Sequence, residues 1–477
     1  MLLLALIVLP LFAALAAFVT PPGKAAPLIV AGAAVLHLTG SLAVRSGDAT
    51  LGGWFAVDAL GHLILDVVSV LFTLCSLYGV EYLRIRKERA NRVFCVCLLT
   101  FLSMTTAITL AQHLAVVWVA VEGATLSTAI LIYFNQNARS LEAAWKYLMI
   151  GSVGIALALL GSLFVAYAAL HSASGDESLL FGALLEHAGG LSRPWLRAGF
   201  VLLLVGYGTK MGLAPMHTWK PDTYGEAPGI IGALLAGGMT SCAFLALLRV
   251  YQVMQAAGEG PFARELFLGF GLLSMAVAAA FMAGQRDFKR MLAYSSVEHM
   301  GILVLGIGVG GIAVPGALLH IINNALTKVV LFLSAGNIHR AYGSKTIDMV
   351  SGALRRVPLS GALFLAGFLA VTGSPPFGPF ISEFTILTGA MTGRHFIVAG
   401  LFLAFLAIIF IGMGSTVLAV VHGPISPAGR TTDFRDTFWR TAPLLAALAM
   451  VVIMGVWIPK AVYDLVLAAA ATLEGAS

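Results

Sequence analysis

Charged residues are scarce in this chain. Aspartate, glutamate, lysine and arginine make up only 10% of its 477 residues, whereas 59% are hydrophobic. A soluble protein has roughly a quarter of its residues charged, and the mean hydropathy here is +0.95. The composition therefore excludes a soluble globular protein and predicts an all-α polytopic membrane protein. The formal net charge of +6 consequently does not predict a nucleic-acid partner, and only its distribution over the loops is informative.

Cysteine is also rare. None of the four cysteines forms a CxxC pair, and all lie in apolar runs: Cys75, Cys95, Cys97 and Cys242. This pattern predicts neither an iron–sulfur site nor a disulfide framework. The sequence contains no cofactor-binding motif, so we expect this chain to hold no cofactor and no metal ion.

Apolar runs long enough to span a membrane dominate the rest of the chain. Since a bilayer core needs about 20 apolar residues per helix, we predict fourteen transmembrane helices. They fall at about 2–19, 27–44, 62–83, 93–111, 114–134, 146–170, 199–218, 229–251, 266–284, 293–311, 316–338, 360–388, 397–421 and 442–459. The longest polar stretch, 171–198, is not a separate soluble domain.

The loop charges give an orientation. With the amino terminus taken as outside, 19 of the 28 lysines and arginines fall in inside loops, including Lys24, Lys87 and Lys220. Six fall in outside loops, Arg45 among them, and the remaining three lie within spans. This bias predicts a multi-pass protein of the inner (cytoplasmic) membrane with both termini outside, in the periplasm.

Two spans carry the same interruption. Span seven contains "GTKMGLAPMH" and span twelve contains "TGSPPFGPFISEF", so each combines glycine, proline and one ionisable residue inside an apolar stretch. The two spans are five apart and run in opposite directions, as expected for an inverted-repeat transporter. We therefore predict helices 1–3 in residues 1–92, two inverted five-helix repeats in 93–254 and 264–422, and helix 14 in 423–477.

Several ionisable residues lie inside spans, where a charge costs about 2.5–3.5 kcal/mol on insertion scales. The candidates are Glu122, Lys210, His299, His320, Lys328 and Glu383. His320, Asn324 and Lys328 are four residues apart and share one helix face. Any one of the candidates could be a structural ion pair or a satisfied core histidine. Their co-occurrence with the two broken helices favours a proton relay.

The prolines explain part of this pattern. Pro215 and the pair Pro375–Pro376 each remove a backbone donor, which is tolerated at membrane depth only where protein or water satisfies the freed groups. They predict unwound, hydrated backbone beside Lys210 and Glu383. Two further charges are given no role: Glu298 could be interfacial, and Arg249 is expected to extend to the membrane surface.

Five motifs carry a resemblance to a known family: "WVAVE", "GYGTKMGLAPMHTWKPDTYGEAP", "RDFKRMLAYSSVEHMG", "NNALTKVVLFLSAGNI" and "GSPPFGPFISEF". In this order they resemble the antiporter-like subunits of respiratory complex I and the Mrp antiporters, over roughly residues 55–425. Within the family the chain looks most like component F of hydrogenase 4 and formate-hydrogenlyase-type relatives, which "SLEAAWKYLMIGSVGIALALLG" and the pair Glu298–His299 favour.

The resemblance implies specific roles. Glu122 and Lys210 would form an ion pair in the first half, and Lys328 and Glu383 would continue a buried polar axis with His299 beside it. Two departures put a complete path in doubt. Ser241 stands where many relatives have a lysine in span eight. Asn324 stands where they often have a histidine, which His320 could replace from one turn earlier.

These observations predict a proton-translocating membrane subunit of an energy-converting oxidoreductase, itself non-catalytic and closest to the hydrogenase-4 type. Its partners would be other antiporter-like membrane subunits and a peripheral iron–sulfur or hydrogenase-type arm, within a lipid bilayer. The transported ion would be the proton, with sodium open. Two alternatives remain: a cation/proton antiporter subunit of Mrp type, and a proton-coupled energising subunit of a carbon-uptake complex.

Overall fold

The computed structural model describes residues 1–21, 25–44, 50–86, 89, 91–170, 178–430 and 432–474. Three lysines and arginines of the loop count, Lys24, Arg45 and Lys87, lie outside the described residues, as does the first part of the 171–198 stretch.

Helices make up most of the described chain, which confirms the all-α prediction. In chain order they are α1 Leu2–Val19, α2 Ala25–Ala43, α3 Ala59–Ile85, α4 Asn91–Leu110, α5 Leu114–Ile132, α6 Ala138–Leu170, α7 Phe181–Glu186, α8 Arg193–Met211, α9 Trp219–Glu226, α10 Gly229–Ala233, α11 Thr240–Ala256, α12 Gly260–Met282, α13 Phe288–Val309, α14 Ala313–Tyr342, α15 Ala353–Arg356, α16 Pro358–Val371, α17 Gly378–Thr392, α18 Phe396–Val421, α19 Phe438–Val456 and α20 Lys460–Glu474. A π-helical turn, Leu234–Met239, joins α10 to α11. A short antiparallel hairpin consists of β1 Thr50–Leu51 and β2 Phe55–Ala56.

Twelve helical segments in the described chain are long and apolar enough to cross a membrane. They correspond to twelve of the fourteen predicted spans, with α10 and α11 counted as one segment. The other two predicted spans are seven and twelve, which the structure forms as α8 with α9 and as α16 with α17. These are the two spans for which the sequence predicts an interruption.

Both interruptions are present. The chain leaves α8 at Met211 and becomes helical again at Trp219, and it leaves α16 at Val371 and resumes at Gly378. All three prolines of the prediction lie in these segments, and each is exposed: Pro215, Pro375 and Pro376. The peptide bonds Ala214–Pro215 and Pro375–Pro376 are cis.

Protein side chains supply hydrogen bonds at both interruptions. The indole of Trp219 donates to the carbonyl of Thr209 at 2.8 Å. The amide of Asn323 donates to the carbonyl of Gly378 at 2.8 Å. Side chains thus bond backbone carbonyls beside both interruptions.

The packing of the two interrupted spans is similar. Helix α6 contacts both α8 and α9, and helix α14 contacts both α16 and α17. Inverted repeats over 93–254 and 264–422 would give this arrangement, because α6 and α14 occupy the same position in each. The repeat boundaries remain a prediction.

Ion pairs at two ends of the bundle show which loops lie together. Asp222 in α9 accepts hydrogen bonds from Lys146, near the start of α6, at 2.7 Å, and from Arg290 at the start of α13. Arg197 at the start of α8 donates to Glu259, which precedes α12, at 2.6 Å. Asp222, Lys146 and Arg290 belong to loops predicted inside, whereas Arg197 and Glu259 belong to loops predicted outside. The spans between these two groups therefore alternate in direction.

Helix α20 is absent from the predicted spans. It packs against α3, α11 and α14 through Val466, Ala469, Ala470 and Leu473. Its other faces carry Lys460, Asp464 and Glu474 among apolar residues. A search for uninterrupted apolar runs does not detect a helix of this amphipathic kind.

The centre of the bundle is formed by three segments that the chain covers almost completely: 229–256, α13 and α14. Helices α1 and α18 have most of their surface facing outward. His299, His320 and Lys328 therefore lie on helices buried on almost every side, where a polar side chain must find its partners within the protein.

Candidate functional site

The first-half pair forms as the resemblance implies. The Nζ atom of Lys210, on α8, lies 3.5 Å from Oε2 of Glu122, on α5. Lys210 also donates to the hydroxyl of Thr125 at 2.8 Å and lies 5.9 Å from the ring centroid of Tyr147. Gly151 on α6 leaves room for this side chain, since a Cβ there would stand 2.7 Å from Nζ.

The two members of the pair differ in access. The Lys210 side chain is 1% exposed, whereas that of Glu122 is 22% exposed. A neighbouring protein packed against α5 could therefore contact the glutamate without reaching the lysine.

Lys220 is the residue of this site that the sequence misses. The loop count assigns it to the inside surface, and that placement is wrong, because Lys220 is fully buried. It donates to the hydroxyl of Ser296, on α13, at 2.9 Å and to the carbonyl of the same residue at 3.3 Å. The spacing within α9 could have indicated this burial. Asp222 and Glu226 share one helix face, and Lys220, two residues before Asp222, lies on the opposite face.

Lys328, on α14, lies next to this lysine. It donates to the hydroxyl of Ser295 at 2.7 Å. Glu298, one turn further along α13, is 1% exposed and within electrostatic reach of Lys328. The expectation that Glu298 could be interfacial is therefore wrong. A buried carboxyl group on α13 and a buried amine on α14 therefore lie within electrostatic reach of each other.

The two histidines form one hydrogen-bonded chain. Nδ1 of His299 lies 2.8 Å from Nε2 of His320, and Nδ1 of His320 lies 2.8 Å from the hydroxyl of Ser382, on α17. The amide of Asn323 also donates to this hydroxyl, at 3.3 Å. The chain joins α13 to α17 through α14, and each of its members can both donate and accept a proton.

Glu383, the residue after Ser382 on α17, lies beside this chain. One ligand atom of each of His299, His320 and Glu383 lies within 4.8 Å of the others, a spacing that could hold a metal ion. However, a metal would sit about 2.0–2.1 Å from each ligating nitrogen, and the two imidazoles already bond each other directly at 2.8 Å. The arrangement therefore fits proton transfer between the rings better than joint coordination of a cation.

The second half of this site contains several buried polar atoms without a hydrogen-bond partner among the described residues. They include Oε1 of Glu298, Nε2 of His299, Oδ1 of Asn324 and Oε1 of Glu383. Such atoms ordinarily bind ordered water, so we expect the second half to be hydrated.

Both interruptions bring a glycine against an ionisable side chain. Gly212 has φ +73° and Gly373 has φ +66°, which a residue with a side chain rarely adopts. A Cβ at Gly212 would overlap the end of the Lys220 side chain, and a Cβ at Gly373 would overlap Oε2 of Glu383. Glycine thus provides both the turn and the space.

The two departures from the family pattern lie on facing elements. The hydroxyl of Ser241, on α11, donates to the carbonyl of Gly237 at 2.6 Å, within the adjoining π-helical turn. The amide of Asn324 donates to the carbonyl of Ala236 in the same turn, at 3.5 Å. Ser241 is therefore bonded within its own segment, and His320 rather than Asn324 makes the link to His299.

The family of the chain follows from comparison with known proteins. Residues 111–410 match the family described as NADH:quinone oxidoreductase/Mrp antiporter, transmembrane. The Hydrogenase-4 component F homolog of Methylacidiphilum infernorum is 32% identical over 439 residues, which cover 90% of this chain and 90% of that protein. The resemblance carried by the five motifs is confirmed.

Two solved structures share the fold. A chain of respiratory complex I from Thermus thermophilus with bound aureothin has a TM-score of 0.78 and 25% identity, covering 96% of this chain and 97% of that one. A chain of the Mrp complex from Dietzia sp. DQ12-45-1b has a TM-score of 0.87 and 18% identity, covering 100% of this chain and 97% of that one. The second likeness concerns the fold alone.

Proposed function

Since the chain belongs to the NADH:quinone oxidoreductase/Mrp antiporter transmembrane family, we propose that it moves protons as a membrane subunit of an energy-converting oxidoreductase complex. The complex would be of the hydrogenase-4 or complex I kind, in line with the hydrogenase-4 component F homolog of M. infernorum. Redox chemistry would take place in partner subunits, including a peripheral iron–sulfur or hydrogenase-type arm.

The observation that carries this proposal is the row of ionisable side chains buried within the bundle. It begins at the pair of Glu122 and Lys210, and continues through Lys328 to the histidine chain and Glu383. A structural role for one such residue is common. A series that crosses both halves of the molecule and ends at both interrupted spans has no comparable structural explanation.

Movement would start at the first-half pair. A change in a neighbouring subunit that draws the partly exposed Glu122 away from Lys210 would leave a buried ammonium group without its counter-charge. Burial disfavours the charged form of a lysine, and a nearby carboxylate restores it, so the separation would release the proton towards Lys328. When the pair re-forms, the carboxylate favours the charged lysine again, and Lys210 would take up another proton.

The second half offers a route onward. A proton that reaches the neighbourhood of Lys328 has Glu298 beside it, and the hydrogen-bonded series His299–His320–Ser382 leads from there to α17. Glu383 would be the last acceptor. Transfer along such a series needs only rotation of the hydroxyl and exchange between the two ring nitrogens of each histidine.

The same proposal includes the membrane location of the chain and the position of a neighbouring subunit. The chain would lie in the inner membrane with both termini on the periplasmic side, as the excess of lysine and arginine in the inside loops favours. Glu122 faces a side of α5 where another antiporter-like subunit could dock.

The test uses membrane vesicles from cells in which a variant replaces the wild-type chain, with electron donors supplied separately as dihydrogen, formate and NADH. In Lys210→Ala we expect proton uptake, followed with a pH-sensitive dye, to be lost while electron transfer is partly retained. The matched control is Lys289→Ala. That lysine is also buried, but it bonds to the carbonyl of Ala227 near the inside surface, away from the row. Unchanged proton uptake in Lys210→Ala would contradict the proposal.

A second candidate function is a cation/proton antiporter subunit of Mrp type, which the match of residues 111–410 to the NADH:quinone oxidoreductase/Mrp antiporter family supports. Mass spectrometry of the proteins that co-purify with a tagged chain in mild detergent separates the two. Hydrogenase or iron–sulfur subunits would support the oxidoreductase. Small membrane subunits without a redox protein, together with sodium-dependent proton flux, would support the antiporter.

A further inference from the structure

Lys220 lies between the two halves of the row without an assigned role. We propose that Lys220 is itself a proton-carrying group, which receives the proton from the Glu122–Lys210 pair and passes it to Lys328. The inference rests on the proposed function, since it assigns a further station to the same path.

The contacts of Lys220 lead in both directions. Towards Lys328, the link runs through two consecutive residues of α13: Ser296 bonds Lys220 at 2.9 Å and Ser295 bonds Lys328 at 2.7 Å. Serine hydroxyls both donate and accept. Each amine therefore bonds a hydroxyl on the same turn of α13, and the two hydroxyls belong to adjacent residues.

Towards Lys210, several neighbouring aromatic rings lie close to both lysines. Lys210 lies 5.9 Å from the ring of Tyr147, and that ring is 5.1 Å from the ring of Trp219, the residue before Lys220. Lys220 in turn lies 5.9 Å from the ring of Tyr224. Both amines thus lie beside the same group of aromatic rings, and one or more water molecules would bridge the two amines.

The electrostatic surroundings of Lys220 suit a transient charge. Among the described residues no carboxylate lies within ion-pair distance of it, and Lys328, His299 and His217 are within electrostatic reach. A buried lysine surrounded by basic groups holds a proton only while its neighbours are neutral. Lys220 and Lys328 would therefore be charged in alternation, which gives the proton a direction once Lys210 releases it.

A second buried lysine, Lys289, has different partners in this same chain. Lys289 donates to the carbonyl of Ala227 at 2.7 Å, and the acidic residues Asp287 and Glu226 lie within electrostatic reach. The two acidic residues favour the charged form of Lys289, whereas burial and the nearby Lys345 oppose it. Lys220 instead donates to the hydroxyl and the carbonyl of a single residue, Ser296.

The two interruptions give independent support. Glu383, the proposed last acceptor, lies against Gly373 at the second interruption, and Lys220 lies against Gly212 at the first. In both segments the chain turns at a glycine with positive φ and then places an ionisable side chain back against it. The structural counterpart of Glu383 in the first half is thus Lys220.

The experiment compares Lys220→Met, Lys220→Arg, Lys210→Ala and Lys289→Met in the same vesicles, with proton uptake and electron transfer measured together. Since a positioned acid–base group contributes about 10²–10⁴-fold to proton transfer, we expect uptake at constant electron transfer to fall at least about 100-fold in Lys220→Met. Arginine keeps the charge and can donate to Ser296 but cannot release its proton. We therefore expect the same loss in Lys220→Arg, whereas a structural role would be rescued by it.

Each outcome decides the inference. Uptake lost in both Lys220 variants and in Lys210→Ala, but kept in Lys289→Met, supports it. If uptake is kept in either Lys220 variant and lost in Lys210→Ala, the inference is overturned and the proposed function stands. If Lys210→Ala also keeps uptake, both fail. Equal loss in Lys289→Met would show that any buried lysine matters and would overturn the inference.

The amount of each variant in the membrane is measured on the same samples. If Lys220→Met does not accumulate, Lys220→Arg decides the case.

Discussion

The close approach of α6 and α8 positions Lys210, and it depends on facing glycines. A Cβ at Gly206 of α8 would stand 2.7 Å from the carbonyl oxygen of Gly154 on α6, and one at Gly199 would stand 3.0 Å from that of Gly161. Small residues at such contacts let membrane helices pack backbone to backbone, where no hydrophobic effect drives their association. Replacing one of them should therefore separate the helices.

Gly206→Ala probes this contact directly. Its new methyl group would lie 2.6 Å from the backbone nitrogen of Ala158 and 2.7 Å from the carbonyl oxygen of Gly154, and neither atom can move without its helix. Because non-bonded carbon contacts are normally about 3.5–4.0 Å long, the two helices must move apart by about 1 Å. Overpacking of this kind costs about 1–3 kcal/mol.

A second glycine isolates this effect. Gly269, in α12, has open space where a Cβ would be, with no atom within 4 Å, so its replacement by alanine affects only the helix backbone. Gly269→Ala should stabilise the chain by about 0.5–1 kcal/mol, the difference in helix preference between the two residues. The difference between the two variants, about 1–3 kcal/mol in favour of Gly269→Ala, measures the packing of α6 on α8.

The separation of α6 from α8 in Gly206→Ala should also displace Lys210. Lys210 lies four residues beyond Gly206 on α8, and its Nζ is only 3.5 Å from Glu122 and 2.8 Å from Thr125. A shift of about 1 Å at the contact is enough to break a hydrogen bond of this length. We expect less proton uptake per electron transferred in Gly206→Ala than in Gly269→Ala.

The assay is thermal unfolding of the purified complex in detergent, together with proton uptake in vesicles. Gly206→Ala should have the lower Tm of the two variants and the lower uptake. An equal Tm and equal uptake would refute the claim that this glycine contact positions Lys210, whatever the absolute stability of the complex.

Two further predictions concern ion pairs outside the row. Partial burial raises the pKa of Asp222, but its hydrogen bonds and charge interactions with Lys146 and Arg290 outweigh this and hold the pKa below its usual value of 3.8. Asp222→Asn should therefore lower the Tm at neutral pH, and the difference from wild type should disappear as the pH falls below that value, where the wild-type carboxyl is protonated as well. Arg249→Met should destabilise the chain by about 1.5–3 kcal/mol, because Arg249 is buried and donates to Asp58 at 2.8 Å. Proton uptake per electron should stay at the wild-type value in Arg249→Met, and a decrease would place this pair on the path.

The features that could be predicted from sequence are those set by local composition. Apolar runs of bilayer length indicated the spans, and glycine with proline inside such a run indicated both interruptions. Glu122 and Lys210 were recognisable because a charge in an apolar run is rare wherever it points. None of these inferences requires knowledge of which helices are neighbours.

The features that could not be predicted depend on tertiary packing. Lys220 and Glu298 lie near the ends of apolar runs, where a charge normally reaches water, and only the neighbouring helices bury them. Arg249 is similar, since it was expected to extend to the membrane surface and is instead buried against Asp58. The bond between His299 and His320 joins two helices whose contact the sequence does not specify.

The interruption in span seven explains why a lysine and a proline occur together there. In a continuous helix Gly212 and Lys220 would be eight residues and therefore about 12 Å apart along the axis, which would carry Lys220 out of the bundle. In the folded chain the side chain of Lys220 returns to Gly212, while Pro215 faces outward. Glycine ends the helix and turns the chain, proline follows within the turn, and the turn brings a second lysine back towards the level of the first. The interruption is thus the means by which one span supplies two basic groups to the buried row.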